Sequence, residues 1–241
     1  MAQLLNTKLQ PPPLRKERVV RPELYESLNG FESGVVLVSA PPGFGKSTVV
    51  IEWITAQQRP FAWYSLDRYD SDVGLFGEYL AQAIGGLIGR DSGLVSLPGS
   101  PTADPRAMIA ALVDDLAETP AGTVVVLDDY HEVHNQEVHE AVNYLADNLP
   151  DGVLLTIVTR ADPPLPISRL RAAGRLREIR GADLRFTPKQ VAEFFDTSVG
   201  ISLTADQVEV VTERSEGWVS ALQLVSLSMD YDEPSSLIDS L

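Results

Sequence analysis

The sequence predicts an α/β fold, with a mostly parallel sheet covered by helices on both faces and a small all-helical unit after it. Three observations predict it. Short apolar runs at 35–39, 61–66, 123–127, 153–158 and 176–180 alternate with helical patterns at 47–57, 72–89, 105–118, 136–148 and 166–173. Strands that alternate with helices build parallel sheets buried on both sides. The first strand runs through a Gly- and Pro-rich loop straight into a helix, in VVLVSAPPGFGKSTVVIEW from residue 35. After Phe186 the strand pattern stops, and TPKQVAEFFD, TADQVEVVTERSEG and WVSALQLVSLSM all read as amphipathic helices, the first two opening on Thr as N-cap. A chain of 241 residues with 44% hydrophobic content can fill a core of that size.

Taken in order, Pro11 to Pro13 form a stiff, extended lead-in, followed by the basic stretch RKERVVR at 15–21. The run VVLV suits a buried strand. The loop after it matches G-x-x-x-x-G-K-[ST], the P-loop pattern, except that Ala40 holds the first position. Gly43 and Gly45 still stand where the backbone must approach a phosphate. Backbone N–H groups at a helix start cradle phosphates, Lys46 reaches the β and γ oxygens, and the Ser47 hydroxyl can ligate Mg²⁺. Pro42, Gly43, Phe44, Gly45, Lys46, Ser47 and Thr48 are therefore the candidate nucleotide-binding residues, with Ser47 also a candidate metal ligand. Trp53, Trp63 and Tyr64 fall at core-like positions. Asp67, at the end of the second strand, is a candidate water-orienting acid.

About eighty residues after the loop, the strand TVVVL ends in Asp128 and Asp129. A buried strand ending this way delivers a carboxylate to Mg²⁺ at the sheet's C-terminal edge. Asp128 is the candidate for the metal shell, and Asp129 the candidate to orient or deprotonate an attacking water. Adjacent aspartates after a strand also serve as caps and turns; the upstream loop favours the metal reading. The strand VLLTIV ends in Thr159 and Arg160. In P-loop enzymes with an extra strand between the loop strand and the carboxylate strand, this position senses the γ-phosphate, which a guanidinium fork suits. The alternative is a surface arginine paired with a carboxylate. His131, His134 and His139 crowd one stretch, but HEVHN misses the zinc pattern H-E-x-x-H because residue 135 is Asn. They read as hydrogen-bonding loop residues beside the γ-phosphate.

Charge and absences narrow the function. With 34 acidic against 19 basic residues the net charge is −15, which suits direct DNA binding poorly. Nine of the basic residues lie in RKERVVR and RLRAAGRLREIR, as a local nucleic-acid patch or as solvated or nucleotide-facing surface. The lack of cysteine excludes disulfides and thiol chemistry, and no apolar run approaches membrane-spanning length. With no signal-peptide pattern at the start, a cytoplasmic protein without a membrane partner is expected. No N-K-x-D reads a guanine, no LSGGQ marks a transporter ATPase, and the Gly/Ser/Pro loop at 90–104 lacks the arginines of a kinase lid after Arg90. Three classes remain: an ATP/ADP switch, a stand-alone ATPase or small-molecule kinase, and an interaction domain that binds nucleotide for stability.

The segments TKLQPPPLRKERVVRPELYESL, VSAPPGFGKSTVVIEW, AWYSLD, VVVLDDYHEVHNQEVHEAV, TIVTRADPPLPISRLRAAGRLREI, LRFTPKQVAEFF and SEGWVSALQL together resemble the amino-terminal ATPase module of the large ATP-binding LuxR-type transcriptional regulators. These belong to the signal-transduction ATPases with numerous domains, the STAND group of P-loop NTPases. The resemblance runs from about residue 6 to residue 228. It implies a switch in which ADP holds a closed resting state, ATP and an inducer give a self-associating state, and slow hydrolysis with Mg²⁺ resets it. Lys46, Asp129 and Arg160 would carry that hydrolysis. It also implies an N-terminal arm over residues 1–30 that brings Val20 and Arg21 to the nucleotide, a nucleotide-binding domain over 31–186 and a helical lid over 187–241. Gly217 and Trp218 lie near the place where related switches carry Gly-x-Pro; this chain has no such Pro, so the lid's contact stays open. Because the sequence stops at Leu241 without a winged helix, sensor or helix-turn-helix, it is expected to be part of a longer regulator whose missing portion contacts DNA.

Overall fold

The computed structural model describes residues 4–89, 92 and 105–229. The loop expected at 90–104 lies almost wholly outside them, as does 230–241. The chain enters through a short helix α1 (Glu23–Glu26), then β1 (Gly34–Ser39), α2 (Lys46–Ala56), β2 (Phe61–Ser65) and α3 (Val73–Ile88). It continues as α4 (Pro105–Ala117), β3 (Thr123–Asp128), α5 (Gln136–Asp147), β4 (Val153–Thr159), α6 (Ile167–Ala172) and β5 (Leu176–Arg180). Four helices close it: α7 (Gly181–Leu184), α8 (Pro188–Phe194), α9 (Ala205–Ser215) and α10 (Val219–Met229). Each strand expected from the sequence is present, and the α/β fold with a parallel sheet is confirmed.

The five strands lie in the order β2-β3-β4-β1-β5, with every neighbouring pair parallel. β1, β3 and β4 are buried along their whole length, as strands covered on both faces must be. Alternate residues feed two cores. Val35, Leu37, Tyr64, Val125, Leu127 and Leu155 pack under α3, α4 and α5. Val36, Val38, Trp63, Val126 and Val158 pack with Trp53, Val50 and Ile54 of α2 on the other side. The aromatic residues expected in the core are there: Trp53, Trp63 and Tyr64 are each at most 1% exposed. β5 closes one edge, where only Leu176 and Ile179 are buried. Its intervening charged residues blunt that edge and explain its faint sequence pattern.

A third apolar cluster joins Phe186, Val191, Phe194, Phe195, Val211 and Leu222 of the last helices to Val19 from the N-terminal segment. Thr187 and Thr204 cap α8 and α9 as expected. Each hydroxyl accepts the N–H of the Gln three residues on, at 3.3 Å, and that Gln side chain accepts the Thr N–H at 2.9 Å. The helix expected through Asp196 instead stops at Phe194 and widens into a π turn over Phe195–Val199. Thr197 donates to the Glu193 carbonyl at 2.6 Å, a back-bond that distorts helices, and Gly200 ends the turn with φ of 76°.

β4 lies between β1 and β3, so the C-terminal ends of the loop strand, the carboxylate strand and the Arg160 strand stand side by side. Ser39 pairs with Thr159 and Ser65 with Asp128 across neighbouring strands. The crevice beyond such ends is where parallel sheets bind ligands.

Candidate nucleotide site

The loop between β1 and α2 folds as its glycines allow. Gly43 and Gly45 have φ of 79° and 77°, a region side chains avoid, and Gly45 is the N-cap of α2. The loop therefore turns tightly enough to aim the helix's first N–H groups at the crevice. Lys46 is buried and donates to the Pro41 carbonyl at 3.0 Å, curling back over its own loop. Burial and the nearby Arg160 push its pKa below the ordinary lysine value, while Asp129 and Asp128 oppose them. An anion at this place would relieve the same cation.

Ser47 donates its hydroxyl to Asp128 Oδ1 at 2.9 Å, and the Asp129 N–H donates to the same oxygen at 3.0 Å. Asp128 is 4% exposed, and its pKa is pushed up to about 6, first by burial and then by the charge of Asp129. A buried carboxylate beside a second one is costly to ionise unless a cation joins it. The hydroxyl and carboxylate suit Mg²⁺, a hard ion that takes a few protein oxygens and completes its shell with water and phosphate. No group of three or more His, Cys, Asp or Glu side chains among the described residues is arranged to hold a metal alone. His139 is buried against Tyr130, its Nδ1 2.8 Å from the phenol oxygen, and the His134 backbone N–H donates to Ser71.

Asp129 sits just beyond β3 with φ of 55°, its carboxylate half exposed. Arg160 is exposed at the end of β4 and makes no ion pair among the described residues; its charge is felt by Lys46 and His131. The alternative reading asked for a carboxylate partner, and among the described residues none is paired with it. The other basic run is different: Arg169 pairs with Asp147, Arg171 with Glu178, and Arg180 with Asp162 and Glu178.

Asp67 needs correction. Its carboxylate pairs with Lys8 at 2.8 Å and accepts the Tyr69 N–H at 2.8 Å, capping a turn. Lys8 also reaches the buried Asp70 at 2.6 Å. The N-terminal segment thus occupies the end of β2 and engages the acid expected to orient water.

Beyond the loop a cavity of about 360 Å³ opens between the N-terminal segment, α2 and the last helices. Arg18, Val19, Arg21, Thr48, Glu52 and Gln223 are among its lining residues. Arg21 is 4% exposed, donates to the Leu184 carbonyl at 2.8 Å, and lies 4.6 Å from the centre of the Phe186 ring. Arg18 pairs with the buried Glu52 at 2.7 Å. Val20, expected at the nucleotide, is 49% exposed and does not line the cavity; its neighbour Val19 does. Val19 is the one drawn into the third apolar cluster, which turns Val20 to solvent. A one-residue choice of this kind is invisible in the VV pair.

The sequence left open whether Gly217 and Trp218 bring the lid to the nucleotide; what the structure gives is a contact of Trp218 with the loop. The Trp218 indole N–H donates to the Pro42 carbonyl at 3.0 Å, and both the hydroxyl and the N–H of Ser220 donate to the Gly43 carbonyl at 3.2 Å. The Phe44 and Trp218 rings stack with centroids 6.4 Å apart. The start of α10 is therefore clasped onto the outer side of the loop. A Cβ at Gly43 would lie 2.1 Å from Ser220 Oγ and 2.8 Å from Trp218 Nε1, besides straining a φ of 79°. Gly43→Ala is expected to cost roughly 1–3 kcal/mol and to prise Trp218 off the loop. A red shift in tryptophan emission, absent when Trp218 is already Phe, would register this; unchanged emission would mean the clasp yields without opening.

The HTH-type transcriptional regulator MalT of Yersinia enterocolitica is 31% identical to this chain over 230 residues, and that of Cronobacter sakazakii 32% identical over 228. Each match takes in 93% of this chain and 25% of the relative, so the chain spans about a quarter of the length of these relatives. No protein-family model matches the chain. Among solved structures, Drosophila ORC bound to DNA superposes with a TM-score of 0.54 over 93% of this chain and 60% of that one, at 17% identity. That likeness is one of fold alone.

Proposed function

From the premise that this chain is homologous to a quarter of the MalT regulators, we propose that it is the ATP/ADP-operated switch module of a larger, cytoplasmic transcriptional regulator. The observation that carries the reading is that three distant parts of the chain converge beside one loop: Arg21 from the N-terminal segment, Asp128 from β3, and Trp218 with Ser220 from the start of α10. A nucleotide seated in the loop meets Arg21 and Asp128 on its inner side and reaches Trp218 and Ser220 through the loop itself, so its departure or its loss of a phosphate changes contacts between parts that are otherwise far apart in sequence. We divide the chain accordingly into an arm over 1–30, a nucleotide-binding domain over 31–186 and a lid over 187–241.

In this reading the N–H groups of Gly43 to Thr48 and the Lys46 ammonium bind the phosphates, and Arg21 closes the nucleoside side. Ser47 and Asp128 would hold Mg²⁺, which would supply positive charge against the negative charge that develops. Asp129 takes the proton of the attacking water. Arg160, which pairs with no carboxylate among the described residues, reads the terminal phosphate. Self-association of the ATP-bound regulator and its DNA contact belong to the whole protein, with DNA bound outside this acidic portion.

Isothermal titration with ATP and ADP in Mg²⁺ tests the reading. Arg160→Ala is expected to weaken ATP about tenfold or more while leaving ADP within about twofold, because a charged hydrogen bond to the γ-phosphate is worth roughly 1.5–3 kcal/mol. An unchanged ATP-to-ADP ratio would remove Arg160 as the sensor.

A further inference from the structure

The turn between α9 and α10 is built to a tight tolerance on both of its sides. Glu216 and Gly217 have left-handed backbones, with φ of 49° and 68°, so the chain reverses sharply there. The Gly217 carbonyl accepts the Phe186 N–H at 2.9 Å, and a Cβ at Gly217 would lie 2.5 Å from the Phe186 carbonyl oxygen and 2.7 Å from its nitrogen. Only glycine fits so near that backbone. Phe186 in turn carries the Arg21 guanidinium over its ring. The turn is thus seated against the partner of the N-terminal arm on one side and, through Trp218 and Ser220, against the loop on the other.

What it grips on the loop are carbonyls. A trans peptide is planar, so each C=O points opposite to the N–H of the residue after it. The Trp218 indole holds the Pro42 carbonyl towards the lid at 3.0 Å, which turns the Gly43 N–H away from the lid. Ser220 holds the Gly43 carbonyl with both its hydroxyl and its N–H at 3.2 Å, which turns the Phe44 N–H the same way. Away from the lid lies the crevice, on the side where the Lys46 ammonium reaches the Pro41 carbonyl. A glycine peptide rotates easily, so without these bonds nothing on the outer side of the loop would fix the two planes.

We propose that Trp218 and Ser220 are positioning residues for phosphate binding, fixing two peptide planes from outside the loop so that the Gly43 and Phe44 N–H groups converge on the phosphates. This rests on the nucleotide reading of the site. Donors held in place beforehand bind an anion without the ordering cost that a mobile glycine loop would meet. The lid then adds to phosphate affinity without touching the nucleotide. By linkage, bound phosphate tightens the lid's hold on the loop by the same factor.

The test titrates ADP in Mg²⁺ into the wild type and into Trp218→Phe, Ser220→Ala and Ser220→Thr, and reads AMP affinity from its displacement of ADP. AMP lacks the outer phosphate and reports the cavity with the least help from the loop. Trp218→Phe keeps a ring against Phe44 and removes the indole donor to the Pro42 carbonyl; Ser220→Ala leaves the backbone N–H on the Gly43 carbonyl. ADP is expected to weaken about three- to tenfold in Trp218→Phe, the scale of one lost hydrogen bond, and by less in Ser220→Ala, with AMP within about twofold throughout. Ser220→Thr keeps the hydroxyl and should bind ADP as the wild type does. Wild-type ADP affinity in both Trp218→Phe and Ser220→Ala would overturn the proposal. So would equal losses for ADP and AMP, which would mean that the clasp shapes the cavity and not the loop. A Trp218→Phe protein that does not fold leaves the decision to Ser220, where Thr and Ala must differ in ADP affinity. If the wild type binds no ADP, the nucleotide reading falls and takes this proposal with it. If Lys46→Ala abolishes ADP binding that the Trp218 and Ser220 variants leave at the wild-type level, only this proposal falls.

Discussion

Lys46→Ala is expected to lower ATP and ADP affinity at least about 100-fold, about 2.8 kcal/mol, to the point where titration detects no binding at micromolar protein. Its ammonium is the only charged group from Ala40 to Thr48, and it already sits against the crevice on the Pro41 carbonyl. The structure also predicts that the loss will not come from unfolding. Burial disfavours the charged lysine, which has one carbonyl as its hydrogen-bond partner at 3.0 Å. Replacing such a group by alanine removes a desolvation cost along with the bond. The melting temperature without nucleotide should therefore hold or rise. A variant that binds ADP like the wild type would show that the loop is not the phosphate site, and one that simply melts would show that Lys46 is structural.

Asp129→Ala should do the opposite, keeping ATP bound while slowing hydrolysis at least about 100-fold, the scale set by losing a positioned base. Asp128, the carboxylate proposed to hold Mg²⁺, keeps its bond from Ser47, and the loop is untouched. One complication is local. Asp129 has φ of 55°, which Asp and Asn tolerate better than Ala. Asp129→Asn keeps the backbone preference and the shape while removing the charge, so both variants should show the same loss. If Ala alone is slow, backbone strain explains it. If both hydrolyse normally, the attacking water is activated elsewhere.

Much of the fold was legible because parallel strands buried on both sides are continuous apolar runs, and VVLV, TVVVL and VLLTIV can be little else. The order of the strands was legible only through chemistry. Arg160 reads as a sensor only if its strand lies between those of the loop and of Asp128, which is where β4 lies. The caps were visible as Thr-x-x-Gln, whereas the π turn depended on a side-chain back-bond from Thr197 that no spacing announces. At the site, the sequence brought out residues whose chemical type is rare in context: a lysine after a glycine loop, paired aspartates after a strand. It could not bring out residues that act through geometry. Ser220 is an ordinary serine on a helix until it meets the Gly43 carbonyl. Val19 and Val20 are identical in type, and packing decides which faces the cavity. Asp67 was misread because its partner, Lys8, lies 59 residues earlier and reaches it only in the fold.

The most direct test of the switch is made on the purified protein itself, by releasing and identifying the nucleotide it carries and following steady-state ATP hydrolysis on the same preparation. A regulatory module is predicted to retain ADP and to turn over well below about one ATP per minute, in the range of unassisted P-loop switches. An empty site with turnover of roughly 1 to 10³ per second would contradict the account, and would make the loop a source of energy for a substrate.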